Sequence, residues 1–145
     1  MKEITAINCK TATIAELKKA FMYRQPITGI DQRVSHYGPH NDELLPMFLM
    51  EETPEGRQLF TGIEKSSIGY VTPTWLRKHN LLGNDGFFRA LKMGFLLFGI
   101  GGGPFDEHAN RREYRSCVDL VIDHLDLYKE HYNRVVYGPL IAYVS

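Results

Sequence analysis

Between residues 99 and 104 the chain reads Gly-Ile-Gly-Gly-Gly-Pro, and no other stretch restricts the backbone so strongly. Each glycine in a helix interior costs about 1 kcal/mol relative to alanine and a proline about 3 kcal/mol. A chain that enters this run as a helix must leave it as a turn. The run therefore separates an apolar segment before it from a periodic one after it. Upstream, Asp85 can cap a helix from Gly86 to about Phe98, whose apolar residues surround nearly the whole circumference; this predicts a central, buried helix. Downstream, Tyr114, Val118, Val121, Leu125, Tyr128 and Tyr132 recur four and three residues apart, predicting a long amphipathic helix from Phe105 to about Asn133.

The first half of the chain carries shorter signals. Lys2 to Asn8 reads as a strand, and Thr13-Ile14-Ala15-Glu16 has capping-box spacing that opens a helix to about Tyr23. Arg24 to Glu43 holds Pro26, Gly29, Gly38 and Pro39 among polar residues, which predicts a long loop with room for one short strand. Leu45 to Glu52 and Arg57 to Ile63 are apolar and aromatic, and Thr53-Pro54-Glu55-Gly56 between them supplies turn residues, predicting a β-hairpin. Ser66 to Val71 adds a third strand. Thr72-Pro73 then gives an N-cap and a first-turn proline for a helix to about Leu82, which Gly83 ends. Val135 to Val144 closes the chain as an edge strand. This order lacks regular strand and helix alternation. It predicts a single α+β domain spanning residues 1–145: a small antiparallel sheet with a central hairpin, covered by about four helices that include the long C-terminal amphipathic one.

Of the 145 residues 43% are hydrophobic, enough for a core that offsets the entropy of ordering the chain. Seventeen Lys and Arg balance 17 Asp and Glu, so no overall positive field exists to collect nucleic acid. Cys9 and Cys117 form no disulfide framework and no C-x-x-C pattern. The N-terminus lacks the apolar stretch of a secretory signal, and Arg89 and Lys92 interrupt the most apolar window, Gly86 to Gly103. The expectation is a cytoplasmic, intracellular protein without a membrane partner.

Three groups of residues carry the candidate chemistry. His36, His40 and Asp42, with Glu43 beside them, form the densest set of potential metal ligands. Their H-x-x-x-H spacing has force on a helix, but Gly38-Pro39 between the imidazoles prevents one. Gly101, Gly102 and Gly103 offer backbone amides, and Arg111, Arg112 and Arg115 follow one to two turns later, a pattern suited to a phosphate-bearing or nucleotide-like ligand. Asp106 and Glu107 bring negative charge to the same place, and neither G-x-G-x-x-G nor G-x-x-x-x-G-K-[ST] is complete. Asp119, Asp123, Asp126 and Glu130 form an acidic stripe on the expected long helix, a surface for a basic partner.

No catalytic motif is complete, and no cofactor is named by the residues. The first reading is accordingly a non-catalytic binding or regulatory protein acting through a protein–protein surface, with self-association or a protein partner, of the kind found among viral or mobile-element accessory proteins. The second is small-ligand binding at the glycine run and its arginines. The third is a metal-assisted hydrolase at His36, His40 and Asp42.

Overall fold

The computed structural model describes residues 5–109 and 116–127. The fold is α+β, but its sheets are parallel throughout, and the expected antiparallel sheet with a central hairpin is overturned. Strands β1 (Ile7–Asn8), β2 (Ile27–Thr28) and β4 (Phe60–Thr61) pair in the order β1-β2-β4. Strands β3 (Gln32–His36), β5 (Ser67–Val71) and β6 (Phe95–Leu97) pair in the order β5-β3-β6. Parallel neighbours cannot be joined by a tight turn, so helical crossovers must link them. Six α-helices stand among the described residues, more than the four expected: α1 (Ile14–Met22), α2 (Asn41–Glu52), α3 (Pro54–Leu59), α4 (Pro73–Lys78), α5 (Gly83–Lys92) and α6 (Cys117–His124).

The two arms of the expected hairpin are largely α2 and α3. Leu44 to Met50 is an apolar run without a β-branched residue, and Leu and Met favour a helix when tertiary packing covers them. The Glu43 carboxylate accepts the His40 backbone N–H at 2.9 Å, which fixes the start of α2. Thr53-Pro54, expected as a turn, is a helix start: Thr53 Oγ1 accepts the Gly56 N–H at 3.0 Å, and Pro54 occupies the first turn of α3. The same pair at Thr72-Pro73 opens α4 as expected, with Thr72 Oγ1 accepting the Trp75 N–H at 3.0 Å. Thr13 closes the expected capping box with Glu16 at the head of α1.

The apolar segment before the glycine run is helix and then strand. Helix α5 ends at Lys92, Gly94 takes a φ of 87°, and Phe95–Leu97 joins β3 as β6. The long helix expected from Phe105 to Asn133 does not exist as one element. Residues 107–109 are a 3-10 turn, α6 covers Cys117–His124, and Asp126 with φ 54° ends that helical stretch. The expected strand at Val135 to Val144 lies outside the described residues.

Burial explains why the chain reverses at the glycines. Phe105 is 2% exposed, stacks on Phe98 at 5.7 Å between ring centroids and meets Phe87 edge-on at 5.7 Å. A Cβ on Gly103 would stand 2.7 Å from the Phe87 Cβ, so only glycine lets the turn seat Phe105 in this cluster. The same reversal carries Asp106 and Glu107 back toward the C-terminal ends of β3 and β6. No helix among the described residues is long and apolar enough to cross a membrane.

Candidate metal centre

His36 is the last residue of β3, and the loop after it turns at Gly38, φ 64°, before α2 begins at Asn41. That turn does what a helix does for an H-x-x-x-H pair: it brings the His36 and His40 ring centroids to 5.6 Å. His36 Nε2 is 2.9 Å from Glu43 Oε1, and His36 Nδ1 donates to the Tyr37 carbonyl oxygen at 2.9 Å. A ring nitrogen committed to a backbone carbonyl leaves the other nitrogen facing the centre, the arrangement that orients histidine ligands in metal sites. His40 is exposed, with Nδ1 3.7 Å from Glu43 Oε2.

Glu43 is the pivot, 3% exposed with both oxygens turned to this cluster. A Cβ on Gly99 would lie 2.7 Å from Glu43 Cγ, and Gly99 has φ 67°; the backbone after β6 is glycine where the carboxylate needs the room. Asp42 reaches the other way, toward the start of α6, where its Oδ1 lies 3.5 Å from the Val118 N–H. Ligand atoms of His36, His40 and Glu43 lie within 4.8 Å of one another, as do those of Asp42, Glu43 and Glu107 and those of Asp106, Glu107 and His108. The sets overlap at Glu43 and Glu107.

Among the described residues the charges of this cluster are unbalanced. Among the described residues no Lys or Arg stands within ion-pair distance of Asp42, Glu43 or Glu107. Burial pushes the Asp42 carboxyl up, and the neighbouring Glu43 charge adds to this against backbone hydrogen bonds from Cys117 and Val118. Burial raises Glu107 likewise, reinforced by Asp42. Glu107 Oε2 is buried without a hydrogen-bond partner among the described residues. Burial works to lower His36, but its hydrogen bond to Glu43, the Tyr37 carbonyl and the charges of Glu43 and Glu107 prevail and raise it. Carboxylates crowded in this way, with imidazoles beside them, can be relieved by protons or by a shared cation.

Of the expected metal set, His36 and His40 share a donor set with Glu43, whereas Asp42 falls in a different set, with Glu43 and Glu107. Glu107 was legible only as a helix-end charge, because nothing local says that a residue 64 positions after Glu43 returns to it. The glycine run is a packed turn: the Gly102 N–H donates to Asp106 Oδ2 at 2.8 Å, and the Gly101 carbonyl accepts from Gly83 N at 2.6 Å. The Gly102 amide thus already serves a carboxylate of the chain itself. Arg111, Arg112 and Arg115 lie outside the described residues. Along α6 and its end, Asp119 is half-buried and Asp123 and Asp126 are exposed, while Glu130 lies outside the described residues.

His36 ends β3, and Gly99 follows β6, so the centre sits beyond the carboxyl ends of parallel strands. This is the edge where α/β sheets hold ligands, since the loops that follow the strands converge there. Comparison with protein-family models, curated proteins and solved structures finds no match to this chain.

Proposed function

We propose that this chain is a metal-dependent hydrolase, with His36, His40, Asp42, Glu43 and Glu107 as ligands and Asp106 and His108 at the margin. The observation that supports this reading above the others is the overlap of three donor sets through Glu43 and Glu107, with no Lys or Arg among the described residues compensating Asp42, Glu43 or Glu107. Mixed imidazole and carboxylate donors suit Zn, Mn or Fe better than the all-oxygen sets of Ca or Mg. Carboxylates shared between donor sets can hold two ions a few ångströms apart, a geometry suited to hydrolytic displacement.

A bound ion would supply a water of lowered pKa and a Lewis acid for the substrate oxygen. The protein would supply position. His36 is fixed by the Tyr37 carbonyl, Glu43 by the His40 N–H, and Asp42 by the amide end of α6. His40, exposed at the rim, is placed to reach a substrate or a second ion without disturbing the buried carboxylates.

The test is metal content and metal-dependent turnover. The chain purified without chelators should hold about one to two equivalents of a divalent transition metal and hydrolyse at least one member of a phosphate, carboxylate and amide ester panel. Chelation should abolish that turnover, and Mn²⁺ or Zn²⁺ should restore it. A chain that neither retains metal nor gains thermal stability on adding Mn²⁺ or Zn²⁺ lacks this centre.

A further inference from the structure

A concavity of about 310 Å³ lies along β3, lined by Gln32, Val34, Tyr37, Tyr70, Trp75 and Phe95 among others. That volume is at the size of small-molecule sites. Its walls are aromatic. Tyr37 and Tyr70 stand 6.2 Å apart between ring centroids, and Trp75 and Phe95 stand 6.3 Å apart. Trp75 is braced on its other neighbour, His79, by stacking at 4.1 Å, so its ring is held by the fold rather than left to collapse into the space.

Two features point to a flat ligand with a polar edge. A Cβ on Gly69 would lie 2.6 Å from Gln32 Oε1, so the Gln32 amide lies across a glycine of the neighbouring strand. That amide has no hydrogen-bond partner among the described residues and offers both a donor and an acceptor at the cavity wall. Aromatic walls with one free amide bind a planar ring by stacking and read its edge by hydrogen bonding.

The cavity and the metal centre share strand β3. Gln32, Val34 and His36 alternate along that strand and share one face, and each step of two residues advances about 6.6 Å. Tyr37, at the cavity rim, gives its carbonyl to His36 Nδ1. A ring stacked on the exposed Tyr37 would lie beside the residue whose Nδ1 the Tyr37 carbonyl holds, His36.

We infer that this cavity is the ring-binding subsite of the centre, taking the planar heteroaromatic end of a small substrate whose scissile bond lies at His36. This rests on the hydrolase reading for its chemistry, whereas ring binding does not require metal. The test uses Trp75, the single tryptophan of the chain, as its reporter. Adenosine and uridine, both uncharged at neutral pH, are titrated into the full chain in the presence of chelator, with ribose as the saturated control.

The expected result is a saturable change in Trp75 emission with at least one nucleoside and none with ribose. Tyr70→Ala, at a partly exposed edge position, should weaken that binding about tenfold while leaving Mn²⁺ affinity unchanged. Failure of both nucleosides, or an equal response to ribose, overturns the subsite even where Mn²⁺ binds. Nucleoside binding by a chain that takes no metal overturns its assignment to a hydrolytic substrate and removes the hydrolase reading with it.

Discussion

His36 Nε2 lies 2.9 Å from Glu43 Oε1, joining the last residue of β3 to the first turn of α2. The bond places an imidazole and a nearly buried carboxylate at the end of a parallel strand, with Asp42 and Glu107 crowding the same space. A cation bound at this contact, as proposed, would displace the proton that the pair shares.

Glu43→Gln keeps the volume and removes the charge. Calorimetric titration with Mn²⁺ should show binding weakened by about tenfold to a hundredfold, as for the loss of a strongly oriented ligand or its partner. The same variant loses the negative charge that raises His36, so the His36 ring, followed by NMR, should titrate at lower pH than in the parent chain. Unchanged Mn²⁺ affinity would remove Glu43 from the centre.

Gly99→Ala tests the close approach of backbone and carboxylate. The new Cβ would meet Glu43 Cγ at 2.7 Å, and the residue would have to hold φ 67°. Urea denaturation should show a loss of about 1 to 3 kcal/mol, the usual cost of a left-handed non-glycine residue under constraint. Gly62→Ala has no atom within 4 Å of its Cβ and a similar φ of 87°, so it separates backbone strain from the clash with Glu43.

His124 makes stability depend on pH. Burial, with the Arg24 charge, holds this imidazole down at about 4 against an ordinary 6.5, while it stacks on Phe21 at 4.0 Å between ring centroids. Below pH 6.5 the unfolded chain takes up a proton that the folded chain refuses until about pH 4, so this residue's contribution is complete above 6.5 and is lost as pH falls toward 4. The loss amounts to about 3 kcal/mol at most. His124→Phe keeps a ring on Phe21 and should flatten that part of the stability profile between pH 7 and 4.5. A parallel decline in both proteins would assign it to other groups.

Thr53→Ala distinguishes a helix start from a hairpin turn. The buried hydroxyl accepts from Gly56 N at 3.0 Å and donates to the Leu49 carbonyl at 2.7 Å, tying the end of α2 to the head of α3. Its removal should cost about 1 to 2 kcal/mol. Thr72→Ala, in an exposed cap, should cost about 1 kcal/mol or less. Equal and negligible losses at both sites would mean that neither hydroxyl caps a helix.

Features that depend on neighbours within one turn of chain are legible in the linear pattern. Thr13 and Glu16 close a capping box, Thr72-Pro73 starts a helix, and the glycine run turns, because each outcome is set by bonds or backbone costs internal to a few residues. Thr53-Pro54 carries the same local signal as Thr72-Pro73 and likewise starts a helix, although the apolar runs on either side of it also fit the arms of a hairpin. Those runs, and Phe95–Leu97, are compatible with helix or strand until packing partners are chosen; Arg33, 3% exposed and donating to the Met47 and Ser66 carbonyls, fixes α2 against β3 only in the assembled fold. The centre divides the same way. His36, His40, Asp42 and Glu43 lie within eight residues and were visible together, whereas Glu107 joins them only because Phe105 must be buried and the glycine turn brings its neighbours along. Strand direction, and with it the edge where the site forms, was decided by nonlocal burial, for which a linear pattern carries no register.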